Sequence, residues 1–397
     1  MARRAVIVDA LRSPFAKGRA GGALSPVHPV DLLAVTIEAL VQRTGLDPGR
    51  VDDVIAGCAI PVGEQAGNIA RHAALAAGLP EEVPGTTVDR KCGSSLQALQ
   101  FAAQGVVAGD LDVVIVGGVD MMGTVPMKAN RLGRDDLGPR LRARYPEGLG
   151  HQGIAAELIA ARWKISRDES DAWALRSHQR AADARRSGFL HRQIVPVTTP
   201  DGSVVTLDEG IRTDTTAEAL AALPPAFFDE ARARRWPEIG WVVTAGSSSP
   251  VSDGASAALV VGEDVAGRLG LVPRAAIVAG AVVGTDPILM LTGPIPATGK
   301  VLARADLGLS AIDLFEVNEA FAPVVLAWLA ETEADPDRVN AYGGAIALGH
   351  PPGASGCRLL ATVLDGLDEV NGRYGLLTLC ESGGMANAMV VERLGQA

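Results

Sequence analysis

Short, unbroken apolar runs restrict what this chain can fold into more than any other feature. Residues 4–10 read RAVIVDA, 112–118 read DVVIVGG and 375–380 read GLLTLC. Runs of this length without alternation suit strands covered on both faces. Helix-patterned stretches lie between them. One spans 30–43, and another follows Cys92, where Leu96, Leu99, Ala103, Val106 and Val107 recur at helical spacing. Buried strands alternating with helices predict an α/β protein with much parallel pairing. Composition agrees, because 48% of residues are hydrophobic but only 4% are aromatic. The apolar content is therefore mostly Ala, Val, Leu and Ile.

The chain has 397 residues, beyond the roughly 250–300 that one core usually serves. Between 119 and 249 the charge rises and turn formers accumulate, which reads as an inserted lobe. Ser166 and Glu169 form a capping-box signature there, for a long helix ending near Gly188. The remainder divides into a first half, 1–118 plus 250–271, and a second half, 272–397. The halves echo one another. Cys92 opens a helix followed by a strand ending at Gly117 and Gly118, and His350 precedes a helix followed by a strand with Gly383 and Gly384 just beyond. Two similar α/β units facing each other are expected, with active loops meeting between them.

A net charge of −10 leaves no global basic field for nucleic acid. No run of about 18 apolar residues predicts a membrane span, and no signal-peptide core follows Arg3 and Arg4. The four cysteines are scattered without a CxxC pair, which fits reduced thiols and a cytoplasmic location. No His/Cys cluster has metal-ligand spacing, so no metal is expected.

Four polar positions stand out in otherwise apolar frames. Cys92 lies between an extended segment and a helix start, where backbone N–H groups and the helix dipole favour a thiolate. The alternative is a buried cysteine acting as a small hydrophobe. His350, in ALGHPPGASG, is either a proton acceptor for Cys92 or a turn histidine bonded to backbone. Asn318 and Glu319 lie where an apolar strand becomes an apolar helix. They either cap that helix or supply an amide to hold a water. Cys380 ends a strand before Glu381, Ser382, Gly383 and Gly384, as an acid/base group or a core cysteine. Cys58 and Cys357 read as packing residues.

Taken together, these four motifs resemble the thiolase family, and the likeness runs from VIVDALRSPF near the start to CESGGMANAM near the end. RKCGSSLQAL is similar to the family's nucleophile motif, which implies that Cys92 is acylated. VNEAFAPV is similar to its NEAF motif, with Asn318 holding a catalytic water. GGAIALGHPPGASG resembles its GHP motif, with His350 activating Cys92 and serving an oxyanion site. CESGGMANAM resembles its C-x-G-G-G motif, with Cys380 as acid/base and the Ser382 backbone N–H in a second oxyanion site.

The resemblance implies duplicated βαβαβ halves in α/β/α/β/α layers, with an inserted loop domain. It implies CoA-dependent cleavage of a 3-ketoacyl-CoA to acetyl-CoA or propionyl-CoA and a shortened acyl-CoA. Coenzyme A would be a co-substrate, with no permanently bound cofactor, and the chain would form a homodimer or homotetramer. Ser249, His151, Met290 and Phe321 match positions near pantetheine or the acyl pocket. Pro224 stands where many relatives have an arginine near the CoA nucleotide. Arg232, Arg234, Arg235 and Trp236 follow in an expanded segment, either taking over that contact or forming a solvated charged loop.

Three further departures are evident. Ser382 replaces a glycine, the nucleophile loop reads CGSS rather than CSSG, and TAGSSSPVSDGA replaces a TAGNASG pattern. The competing readings are a biosynthetic acetoacetyl-CoA-forming thiolase, a non-catalytic acyl-CoA or lipid-binding relative, and a β-ketoacyl synthase, which would lack Cys380. The local sequence lies closer to degradative members, with sterol- or ring-derived CoA esters among the candidate substrates.

Overall fold

The computed structural model describes residues 3–395. Nine strands follow one another across a single mixed sheet: β1 (Ala5–Arg12), β2 (Asp53–Gly57), β3 (Gly85–Val88), β4 (Val113–Met121), β5 (Ser252–Gly262), β6 (Ala275–Gly284), β7 (Leu314–Val317), β8 (Tyr374–Glu381) and β9 (Met385–Arg393). Their spatial order is β7-β8-β9-β6-β1-β5-β4-β2-β3, and the two-residue strand Ala16–Lys17 pairs beside β5. The apolar runs of the sequence form β1, β4 and β8, all buried along nearly their whole length.

The order reveals the duplication. In the first half, β2 runs parallel to β4, β4 antiparallel to β5, and β5 antiparallel to β1. In the second half, β7 runs parallel to β8, β8 antiparallel to β9, and β9 antiparallel to β6. Only β3 at the edge is extra. The halves join edge to edge through a ladder of two residue pairs, Val6 with Ala276 and Ile7 with Ala275.

Helices fill three layers around this bent sheet. The chief ones are α1 (Pro29–Thr44), α2 (Ile69–Ala76), α3 (Ser94–Ala108), α4 (Gln152–Trp163), α5 (Arg167–Arg186), α6 (Pro294–Ala305), α7 (Ala322–Thr332) and α8 (Pro352–Glu369). Both α1 and α2 cover the outside of the first half, and α6 and α7 cover the outside of the second. Between the halves lie α3 and α8, each packed against strands of both. This is the five-layer α/β/α/β/α arrangement expected from the sequence.

Burial on two sides makes the central helices apolar almost all round. Leu96, Leu99, Ala103 and Val106 of α3 meet Leu359, Leu360, Val363, Leu364 and Leu367 of α8 in one cluster. Each large aliphatic side chain stabilises the fold by about 1.5–3 kcal/mol, whereas a surface ion pair contributes ~0–1. Val107 departs from the helical pattern read in the sequence, because it is 50% exposed on the last turn of α3. The apolar spacing of the sequence continues one residue beyond the buried stripe.

Between β4 and β5 the chain leaves the sheet. This segment carries α4, α5, short helices at Gly138–Arg144, Ala217–Ala221 and Glu230–Arg235, and a small hairpin of Val197–Thr198 with Val204–Val205. The capping box at α5 is present, with Ser166 and Glu169 exchanging bonds. No described helix is long and apolar enough to cross a membrane.

The two central helices touch at their first turns. A Cβ on Gly356 would overlap the backbone nitrogen of Leu96, and Ser95 Oγ accepts from Cys357 N at 3.2 Å. Gly356→Ala is therefore expected to cost about 1–3 kcal/mol in overpacking, read as a lower midpoint in denaturant unfolding. An unchanged midpoint would show that the helices are not held at this crossing.

Candidate active site

The crossing of α3 and α8 fixes where their preceding loops lie. Cys92 stands two residues before α3, and His350 two residues before α8. Both loops bend sharply. Lys91 has φ 51° and Gly349 has φ 105°, the latter a conformation that favours glycine. The ends of β7 and β8 deliver Asn318 and Cys380 to the same region.

His350 is buried, with its two ring nitrogens facing different partners. Nδ1 lies 2.6 Å from Ser355 Oγ, and Nε2 lies 3.5 Å from Asn318 Nδ2. Ser355 Oγ donates its single proton to Pro351 O at 2.7 Å. Nδ1 must then carry the hydrogen and donate it to Ser355, which leaves Nε2 as the bare, basic nitrogen. Burial and the Arg358 charge push the imidazole down to about 3. The ring is accordingly neutral across the physiological range.

Cys92 is 8% exposed, but it belongs to none of the apolar clusters. Cys58, Cys357 and Cys380 each belong to one. Burial, Glu381 and Asp120 together push the Cys92 thiol up to about 12. The N–H groups of Ser382 and of Cys92 itself pull the other way. Proximity to a helix start therefore does not produce a resting thiolate, contrary to the sequence expectation. Desolvation and two neighbouring carboxyls outweigh the backbone donors. Cys380 is fully buried, and its thiol is raised by burial, Cys92 and Glu381. The two cysteines thus share one electrostatic environment.

Asn318 and Glu319 diverge. Asn318 points to His350, and its Oδ1 is buried without a protein partner among the described residues. Glu319 points away and accepts from Trp173 Nε1, Ser177 Oγ, Asn340 Nδ2 and Ile346 N, at 2.7–3.1 Å. Neither caps α7, whose N-cap is Phe321 with no side-chain bond. Glu319 instead ties α5 and the loop before His350 to the turn that presents Asn318.

Ser382 is absent from the positive-φ residues, while Gly383 (φ 95°) and Gly384 (φ 78°) supply the left-handed turn. Serine in place of glycine therefore costs nothing conformationally, and its backbone N–H is retained, where it favours the Cys92 thiolate.

A wall of apolar side chains adjoins the cysteines. Met290, Phe321 and Cys380 share a cluster with Val243, Ala155 and Ala156. Met290 is buried with φ 50°, an uncommon backbone state for a methionine. Phe227 packs edge-on against Phe321 at 5.8 Å and tilted against His151 at 5.6 Å. His151 caps α4, its Nδ1 accepting from Gly153 N at 3.1 Å. Ser249 Oγ donates to Ala320 O at 3.1 Å, which locks its loop to the Asn318 turn.

The arginines of the expanded segment fare differently. Arg234 faces Glu230 at 3.9 Å, and Arg235 pairs with Glu147 at 2.8 Å while stacking on Trp236 at 4.1 Å. Arg232 makes no ion pair among the described residues, and its charge reaches His151. A cavity of about 350 Å³ beside Ser248 and Pro250 is lined by Lys17, Arg19 and Arg212, cations that the motif reading passed over.

The sequence reading also missed Asp120 and Ser355. Asp120 is fully buried and accepts from Ala59 N, Ile60 N, Gln65 Nε2 and Gly353 N, at 2.6–3.3 Å. It thereby binds the His350 loop to the end of β2, while its charge reaches Cys92. The available signal was an aspartate closing the apolar run VVIVGGV.

Two buried thiols and a neutral imidazole with one bare nitrogen have chemistry that suits acyl transfer through sulfur. The family models for the thiolase N-terminal domain and the thiolase C-terminal domain match residues 5–264 and 271–393. The chain belongs to the thiolase family.

It is 46% identical to the steroid 3-ketoacyl-CoA thiolase FadA6 of Mycobacterium tuberculosis, over 98% of this chain and 94% of that protein. It is 42% identical to the 3-oxoadipyl-CoA/3-oxo-5,6-dehydrosuberyl-CoA thiolase of Escherichia coli, over 99% of this chain and 100% of that one. The crystal structure of the Bacillus anthracis acetyl-CoA acetyltransferase superposes with a TM-score of 0.87 at 37% identity, covering 99% of each chain.

Ser355→Ala should remove the partner that sets the His350 tautomer. A buried donor left unpaired costs about 1–3 kcal/mol, so kcat/KM is expected to fall roughly 10–100-fold. The acid side of the pH profile should show no limb near the ordinary histidine value in the native enzyme, because His350 stays neutral there. A limb near 6.5 assigned to His350 would contradict this reading.

Proposed function

We propose that this enzyme cleaves 3-ketoacyl-CoA thioesters by thiolysis through an acyl-Cys92 intermediate. The observation that carries the reading is that the carboxyl of Glu381, next to Cys380, lies against Gly93, next to Cys92, so that the two buried cysteines adjoin. The names of the similar proteins support the degradative direction.

In the proposed sequence, the Cys92 proton passes to His350 Nε2 as the sulfur adds to the 3-keto carbon. The N–H groups of Cys92 and Ser382 hold the resulting oxyanion. The C2–C3 bond then breaks, and its electron pair becomes the enolate of acetyl-CoA. Protonated His350 and a water on Asn318 hold the enolate oxygen, and the Cys380 thiol protonates C2. Incoming CoA gives its proton to the Cys380 thiolate and attacks the acyl group. Cys92 leaves as thiolate and recovers its proton from His350. Both thiols end as they began, so the cycle balances.

A resting thiol suits this scheme. The Cys92 proton moves only when a carbonyl is present to take the charge, which protects the sulfur from oxidation and stray alkylation. Met290, Phe321 and Phe227 would line the acyl pocket, while Ser249 and His151 would border the pantetheine. The nucleotide would rest on Arg232 with Trp236, with Arg234 and Arg235 shaping the loop. Segment 119–249 would act as a separate lobe over the site, joined to halves 1–118 plus 250–271 and 272–397. The acyl group we propose is bulky or ring-derived, as in the name of the mycobacterial relative. The active form we propose is a homodimer or homotetramer.

Mass spectrometry after incubation with acetoacetyl-CoA should place an acetyl group on Cys92. Cys92→Ala should abolish the adduct, and Cys380→Ala should lower turnover by about 10²–10⁴-fold. Turnover with the acyl group on another residue would sink the nucleophile assignment. A thiolysis series from short linear to cyclic 3-ketoacyl-CoAs, ranked by kcat/KM, tests the acyl preference. A maximum at acetoacetyl-CoA would reject the bulky-substrate reading.

A further inference from the structure

Glu381 has no place in the scheme above, yet it adjoins both cysteines. It is the last residue of β8, and it is fully buried. Neither carboxyl oxygen has a hydrogen-bond partner among the described residues. Such a group is costly unless it serves a purpose.

The carboxyl lies against Gly93, the residue after Cys92. A Cβ at position 93 would overlap Glu381 Oε1. Asn387 of β9 reaches the same spot: its Nδ2 donates to Gly93 O at 2.9 Å, and its Oδ1 is also buried and unpartnered. The glycine of the CGSS loop and the glutamate of CESGG are thus two sides of one contact. Glycine at 93 gives the carboxyl room directly behind the nucleophile.

Charge couples the same groups. Glu381 opposes ionisation of both Cys92 and Cys380. Asp120 acts on Cys92 as well, and Arg90 is the cation that favours the Glu381 anion. Two like charges in so dry a space do not both form readily.

We propose that Glu381 is a positioning residue that governs the charge on Cys92: as a neutral carboxyl it lets the thiol ionise, and as a carboxylate it holds the thiol protonated. The proposal rests on Cys92 being the nucleophile. Burial places the Glu381 ionisation at about 8, with Arg90 opposing the rise. Below that value a glutamine should behave like the native residue. Above it only the native residue carries a charge.

The test compares iodoacetamide alkylation of the native full-length chain, Glu381→Gln and Glu381→Ala, from about pH 6.5 to about pH 9.5. One unit of displaced thiol ionisation changes the thiolate fraction about tenfold. The rate ratio of Glu381→Gln to native should therefore be about 1 at the acid end. It should rise to as much as about tenfold at the alkaline end, with kcat/KM for acetoacetyl-CoA thiolysis following the same course. Glu381→Ala should show the same rise, which covers the case of a glutamine that does not fold. A ratio independent of pH in the folded variant would reduce Glu381 to a packing role and overturn the proposal. Peptide mapping of the label separates the two assignments. Label away from Cys92 overturns the nucleophile and the proposal together, whereas label on Cys92 with a flat ratio overturns Glu381 alone.

Discussion

The backbone contact between the first turns of α3 and α8 is the constraint on which the site depends. Gly356 has no side chain, so Leu96 can approach its backbone, and Ser95 bonds across to Cys357 N. Each helix comes from a different half of the duplicated sheet. Bringing their starts together brings the loops that carry Cys92 and His350 to the same end of the central layer, although 258 positions separate the two residues. Asp120 secures the arrangement from beneath by holding Gly353 N and the end of β2 with one carboxylate. Without that close crossing, the four loops would have no common meeting point.

Dryness is the second theme. Cys92, Cys380, Asn318 and His350 all lie in the interior. In such surroundings a charge is expensive, so each titratable group rests in its neutral form. The thiols are pushed up and the imidazole down. The site therefore stores no ion pair between Cys92 and His350 before substrate arrives. Hydrogen bonds, rather than charges, do the positioning: Ser355 orients the imidazole, Glu319 braces the Asn318 turn, and Ser249 bonds to Ala320 O.

Much of this was legible in the sequence. Unbroken runs such as DVVIVGG could only be covered strands, and the echo between the Cys92 and His350 segments pointed to paired halves. The polar residues of the site were visible because they interrupt apolar frames. Their environment was not visible, because it arises from residues distant in sequence. The helix start beside Cys92 suggested a thiolate, yet burial first, and then Glu381 and Asp120 from β8 and β4, reverse the balance. Whether serine at 382 meets a left-handed backbone was not visible either, and the structure puts that turn at Gly383 and Gly384. Likewise, Arg234 and Arg235 read as nucleotide contacts or a solvated charged loop, and glutamates 4 and 88 residues away face them in the structure.

The seam between the two half-sheets has its own consequence. Only two residue pairs join β1 to β6, so the backbone ladder contributes little to holding the halves together. The shared helical layer of α3 and α8 does that work, and each half supplies one wall of it. Neither half can shed the other without exposing that apolar layer to water. Each half is thus completed by the other, and the loops carrying Cys92 and His350 meet only where both halves are in place.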